Sequence, residues 1–204
     1  MTAILKVDEI QDTNGNLIIK EDSNTITVGA SGDTTNIVGT LQNNGSALIS
    51  GITEADQWKL TSDLELTTTT ITANLSRVNK IGTGMTESSG VFTFPSTGLY
   101  MIRAEGKFVS TSGSGSSRYI YLRTVTTTNN STYNNVARAG TNIYNFQNNT
   151  IHTDCSSTLF FDVTNTSTHK VKFTAESATP SGYYLKGTSS DIYTNFSFIR
   201  LGDT

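Results

Sequence analysis

Pro95 stands between two stretches that both read as β-strand, and few architectures allow that. Val91-Phe92-Thr93-Phe94 before it is short and aromatic, and Leu99 to Phe108 after it is long and alternating. Proline has no N–H to give to a ladder and cannot sit in a central strand. The chain must therefore turn a corner here, and Gly98 lets it turn into the second strand. Along that strand Tyr100, Ile102, Ala104, Gly106 and Phe108 share one face, and Leu99, Met101, Arg103, Glu105 and Lys107 share the other. The second face begins apolar and ends charged. Such a strand is covered on both sides at its start and on one side later, which suits a sheet packed against its own domain and, in part, against another subunit.

Within the stretch, Gly90, Phe92, Pro95, Gly98 and Tyr100 spell Gly-x-Phe-x-x-Pro-x-x-Gly-x-Tyr, and Asn195-Phe-Ser-Phe-Ile-Arg-Leu-Gly-Asp203 closes the chain. These motifs resemble the globular head of the complement first component q subunit. The resemblance covers about residues 55 to 204 and implies the tumour necrosis factor-like jelly roll, an all-β, two-sheet antiparallel sandwich. It departs from the family at Thr164 to His169, where the family has a tight Gly-Asp turn between its sixth and seventh strands.

Composition agrees with β structure. Apolar residues make up 35% and charged residues 15% of the 204, and Thr, Ser, Asn and 17 Gly fill the balance, a mixture that favours strands and turns. Regularly spaced aromatics, 9 Phe and 8 Tyr, with a net charge of −3 argue against disorder. Without a run of Lys or Arg, nucleic-acid binding by phosphate neutralisation is not expected. Membrane insertion is not expected either. Lys6, Asp8 and Glu9 lie where a signal peptide needs an apolar run, and Cys155 is the single cysteine. Synthesis in a reducing cytoplasm is the expectation, and a surface-type composition made there fits a virion protein that leaves its host by lysis.

Residues 1 to 50 form a different segment, with short strand candidates between turn clusters. Leu5 and Val7 alternate with charges, Asn14-Gly15 is a hairpin signal, Ile26 and Val28 precede a Gly-rich turn, and Ile37-Val38 precede Gly39. No such strand pair buries enough apolar area to stand alone, so a β-rich fibre shaft is expected, three chains pointing apolar stripes at a common axis. Residues 18 to 33 also resemble N-terminal segments of structural proteins from marine cyanobacterial phages, which implies that residues 1–50 bind tail or capsid proteins of a virion. Residues 51–57 read as a neck, with Thr53-Glu-Ala-Asp56 as a capping box that starts one helical turn, and 58–204 as the head.

The head shows strand candidates at 58–66, 71–80, 91–94, 99–109, 118–126, 135–144, 158–163, 170–176 and 193–201, a sandwich count. Val171, Phe173 and Ala175 alternate with Lys170, Lys172 and Thr174, as an outer sheet requires. Leu99 to Ile102, Leu159 to Phe161 and Phe196 to Ile199 are apolar on both faces, as the inner sheet of a homotrimer requires. Leu99, Met101, Phe160 and Ile199 are the candidate trimer contacts.

Catalytic patterns are weak, and no enzyme activity, metal or cofactor is expected. Asp63 and Glu65 share a strand face, whereas a glycosidase needs carboxyls facing each other about 5 to 10 Å apart. His152, Asp154, Cys155 and His169 lack paired metal-ligand spacing, and Cys155 reads as a small buried hydrophobe. Ser112-Gly-Ser-Gly-Ser116 has no following helix or Lys-Thr and reads as a loop tip.

The expected function is binding by a trimeric phage fibre or spike whose head meets a host surface glycan or protein. A decoration protein with a structural knob is the alternative, and a glycan depolymerase a lesser one. In the jelly roll that the head resembles both chain ends lie at the base, which implies, with strands alternating in direction, that loops near 110–117, 146–157 and 177–191 share the apex. Tyr183, Tyr184 and Lys186 are the candidate receptor contacts, since tyrosines stack on sugar rings and lysine reaches anions.

Overall fold

The computed structural model describes residues 9–11, 13–15, 17–22, 25–28, 31–38, 42–43, 46–47, 51–67, 70–111, 115–144 and 149–204. They fall into two units, Met1–Ser50 and Gly51–Thr204.

The first unit carries β1 (Glu9–Gln11), β2 (Leu17–Asp22) and β3 (Thr25–Val28) as one antiparallel sheet, and β4 (Gln42–Asn43) paired with β5 (Ser46–Ala47). Asn14 and Gly15 lie in the turn between β1 and β2, with Gly15 at φ +82°. Ile10 pairs with Ile19 and Ile19 with Val28, a cross-strand row. Its members remain 39%, 38% and 52% exposed, so no described residue of the unit covers it. Ile37 and Val38 fall in no strand, and Leu5 and Val7 lie outside the described residues.

The second unit holds β6 (Ala55–Leu60), β7 (Leu64–Glu65), β8 (Leu75–Ile81), β9 (Thr86–Ser88), β10 (Val91–Thr93) and β11 (Gly98–Ser110). These are followed by β12 (Ser117–Thr127), β13 (Asn134–Ile143), β14 (Ile151–Val163), β15 (Lys170–Ser177), β16 (Tyr183–Leu185) and β17 (Asn195–Gly202). An outer sheet runs β13-β12-β15-β10-β9. In the inner sheet β11 pairs with β14 along one edge, and along the other with β17 and, at its far end, β16. From there β17 leads to β6 and β8, and β16 to β7. The sheets face each other across a core whose inward residues alternate along every strand, Val171, Phe173 and Ala175 among them.

Phe92 sits at the centre of that core. Its ring meets Trp58 edge-on at 5.4 Å, Phe173 at 5.7 Å and Phe198 at 5.1 Å, so three inner- and outer-sheet strands converge on one side chain of β10. Phe173 and Phe196 stack across the sandwich at 4.0 Å. The Pro95 corner is also explained. Gly90 and Gly98 both have positive φ, +81° and +134°, and a Cβ on either would run into backbone, the Ile71 carbonyl in one case and the Gly202 carbonyl in the other. Tyr100 then locks the corner, its hydroxyl 3.0 Å from Ser96 Oγ and donating to the Ser96 carbonyl at 3.1 Å.

Three segments differ from the sequence reading. Residues 53–56 make no helical turn: Ala55 opens β6 opposite Ile199, and Asp56, 3% exposed, is inside the sandwich edge. Its carboxylate accepts from Trp58 Nε1 (2.9 Å), Arg77 Nε (3.0 Å) and the Met85 amide (2.7 Å), which competes successfully with capping. The strand read at 58–66 is broken at 61–63 between β6 and β7. Finally β14 begins at Ile151, so most of the loop read at 146–157 is strand, pairing with β11 from Ser110 opposite Ile151 to Gly98 opposite Val163. Phe146 lies outside the described residues.

Trp58 is the chain's single tryptophan and abuts Phe92. Phe92→Ala is expected to destabilise the head by about 3–5 kcal/mol, read as a lowered urea midpoint in Trp58 fluorescence. A shift under about 1 kcal/mol would show that the core closes around the gap.

Candidate functional site

The outward face of the inner sheet carries a continuous apolar row. Residues directly opposite in antiparallel strands point to one face, and the register places Phe160 opposite Met101, Met101 opposite Ile199, Ile199 opposite Ala55 and Ala55 opposite Ile81. Five strands each contribute one apolar side chain. Phe160 is 62% and Ile81 52% exposed, and the other three are part-buried by their neighbours. One step along, the row is polar: Thr158, Arg103, Ser197, Gln57 and Asn79. Beyond it Arg103 donates to Glu105 (2.6 Å), Asn195 donates to the other Glu105 oxygen (3.0 Å), and Lys107 stands 3.8 Å from Asp154. The Arg103 hydrogen bond holds the Glu105 carboxyl below its ordinary range against the opposing effect of burial. Of the four candidate trimer contacts, Met101, Phe160 and Ile199 lie in this row. Leu99 is on the same face, between Asp162 and Gly202.

At the opposite end of the sandwich the loops after β11, β13 and β15 come together, because Ser110 faces both Ile151 and Tyr183 and Ser117 faces Ile143. Residues 112–114 and 145–148 of these loops are outside the described set. The loops are tied to one another. Thr111 N donates to Gly182 O (2.9 Å), Ser117 Oγ lies 2.6 Å from Ser177 Oγ, and the Tyr183 hydroxyl donates to the Gly115 carbonyl.

Tyr183 is therefore not a surface residue, and its reading as a receptor contact is corrected. The segment is a strand, β16, in which Tyr183 and Leu185 point inward and are 0% exposed while Tyr184 points out. Alternation separates the two tyrosines onto opposite faces, so they form no sugar-stacking pair. Lys186 is ion-paired with Asp63 at 2.9 Å, and its amide donates to the Lys107 carbonyl at 2.7 Å. Asp63 also accepts from the Gly187 amide (2.9 Å), and Glu65 from the Gly182 amide (3.2 Å). Both carboxylates fasten the segment around β16 and do not face each other across a cleft. Tyr183 and Leu185 at a spacing of two were the signal for this strand, masked by flanking Gly, Ser and Pro.

His152 and Asp154 point outward from β14, whereas Cys155 alternates to the core side and packs against it. His169 is 7% exposed, with its ring nitrogens 3.3 Å from Thr164 Oγ1 and 3.1 Å from Thr168 Oγ1. It closes the Thr164–His169 turn, in which Asn165 O accepts from the His169 amide at 2.9 Å. Among the described residues no three His, Cys, Asp or Glu are grouped so as to hold a metal ion.

The fold recurs in known structures. Murine APRIL, solved at pH 5.0, matches with a TM-score of 0.54 at 10% identity, covering 72% of this chain and 98% of that one. Eiger TNF from S. frugiperda matches with a TM-score of 0.53 at 10% identity, covering 74% and 93%. The second unit is a tumour necrosis factor-like jelly roll. The globular domain of zebrafish complement 1qA protein is also found, at a TM-score of 0.49 and 11% identity. No family model matches the sequence, and no curated protein matches it. The likeness is thus one of fold.

Burial pushes the Cys155 thiol up to about 11. Its alkylation by iodoacetamide is expected to be slow at pH 8 and to rise about tenfold per pH unit up to pH 10, because the thiolate is the reactive form. A rate that levels off near pH 8.5 would mean the thiol is solvated. Tyr183→Ala is expected to cost about 3–5 kcal/mol of stability and Tyr184→Ala under about 1 kcal/mol, measured side by side in denaturant.

Proposed function

We propose that this chain is a homotrimeric virion fibre or spike, without catalytic activity, whose jelly-roll head contacts a host surface and whose first fifty residues attach it to the particle. The observation that carries the reading is the Phe160–Met101–Ile199–Ala55–Ile81 row, an apolar band across five strands that no described residue covers. Scattered surface apolar residues need no explanation, but a contiguous band bordered by polar rows marks an interface. The first unit has the same need, since Ile10, Ile19 and Val28 form an uncovered row on a three-stranded sheet too small to be stable alone. Closed threefold assembly meets both requirements with one symmetry operation. The phage-like wording of residues 18–33 supports a virion as the place of attachment.

A decoration protein is the second reading, and one observation favours it. Tyr183 and Lys186, at the end where a receptor would dock, are committed to internal contacts.

Light scattering on the purified chain is expected to give three subunits, and a stable monomer or dimer would overturn the trimer. Phe160→Asp should prevent assembly, because closure would bury an unpaired charge. Particles lacking the chain should assemble yet adsorb poorly to host cells; normal adsorption would put the decoration reading ahead.

A further inference from the structure

The outward face of the outer sheet has a chemistry unlike the rest of the molecule. On β12, Tyr119 and Tyr121 stack with ring centroids 4.7 Å apart and 16° between planes. Arg138 of β13 lies 4.5 Å from the Tyr121 ring and Arg118 5.9 Å from that of Tyr119. Gly140, directly opposite Tyr121, leaves room for the ring: a Cβ there would be 2.8 Å from two of its carbons. A third cation, Lys172 of β15, sits 4.3 Å from the ring of Tyr133.

The charges on this face do not balance. Arg123 and Arg138 are directly opposite in the ladder, an arrangement that is destabilising for like charges. One carboxylate, Glu176, answers them, and it is taken by Arg123 in a two-pronged ion pair. Among the described residues Arg118, Arg138 and Lys172 have no ion pair, in a chain whose net charge is −3. Arg123 and Arg138 also line a depression floored by Asn135, Val136 and Ala137. Cations held over aromatic rings keep their donors aimed outward at little further entropic cost.

We infer that this face binds an acidic polysaccharide, with Arg138, Arg118 and Lys172 holding carboxylate or sulfate groups and the tyrosine edges packing against sugar rings. Arg138 and Lys172 stand two strands apart and two residues out of line, about 12 Å, so a chain carrying repeated anions can reach both, which a single small anion cannot. The inference deepens the host-surface reading and rests on it only for the ligand's biological setting.

The test is binding of the purified full chain to immobilised heparin, a sulfated polysaccharide, and alginate, a polyuronate, with dextran and single-stranded DNA as references. Binding to both acidic polysaccharides, lost at high salt and absent for dextran, is expected. Arg138→Gln should weaken it about tenfold, and Lys172→Gln, which carries the test if the first variant fails to fold, several-fold. Lys186→Gln, on another face, should leave it unchanged. No binding to either polysaccharide at low salt, equal loss in Lys186→Gln and Arg138→Gln, or DNA bound as tightly as the polysaccharides would each overturn the inference. Host adsorption separates the two proposals: normal adsorption by a chain that binds no polysaccharide defeats this one alone, and polysaccharide binding without any adsorption defect on deletion defeats the host-attachment role alone.

Discussion

One aromatic ring fixes the spacing of the two sheets. Phe92 enters from the short strand β10 and meets Trp58, Phe173 and Phe198, so strands of both layers are referenced to a single side chain. Aromatic groupings of this kind add about 0.5–1.5 kcal/mol per pair beyond area burial, and their edge-on geometry resists sliding. Everything else in the head inherits that alignment. The Pro95 corner delivers β10 to one sheet and β11 to the other, and β11 then supports β14 along thirteen paired residues. Because β11 is clamped on both edges, the outward side chains of three adjacent strands are forced into register, which turns separate apolar residues into a band.

The same register explains what could and could not be read from the chain. The Gly90–Phe108 stretch was legible because a proline, two glycines with obligatory backbone conformations and a clean period of two all agree there. The outer sheet was legible through Val171, Phe173 and Ala175 alternating with lysines. The first half of β14 was hidden, since His152-Thr-Asp-Cys-Ser-Ser-Thr158 is polar on its outward side and carries small residues inward, so nothing in its hydropathy separates it from a loop. Only its partner β11 makes it a strand. β16 was hidden for a related reason, three residues with turn formers on both sides, and taking it for a loop placed Tyr183 on the surface. Residues 53–56 failed differently. A capping box is a local signal, and a buried carboxylate with three donors outweighs it.

The two outward faces of the sandwich diverge in chemistry. On the inner sheet the Phe160–Ile81 row is aliphatic or aromatic with no cation in it, and Arg103, one step along, pairs with Glu105. On the outer sheet, exposed positions hold arginines and a lysine propped against tyrosine rings. Water-excluding association and ligand capture make opposite demands on a surface, and a two-layer fold lets each be met on its own side without a change in the shared core.

Ala55 and Ile199 are ladder partners, so the polypeptide enters and leaves the head on adjacent strands at one pole, away from the three tied loops. The covalent order of the strands is consequently separable from their spatial order. Joining the end of β17 to the start of β6 through a few flexible residues, and opening the chain within 112–114, would give a circular permutant with every ladder intact. Its new termini would emerge beside the distal loops, turning a head that now presents both ends at its base into a scaffold that displays appended peptides at its tip.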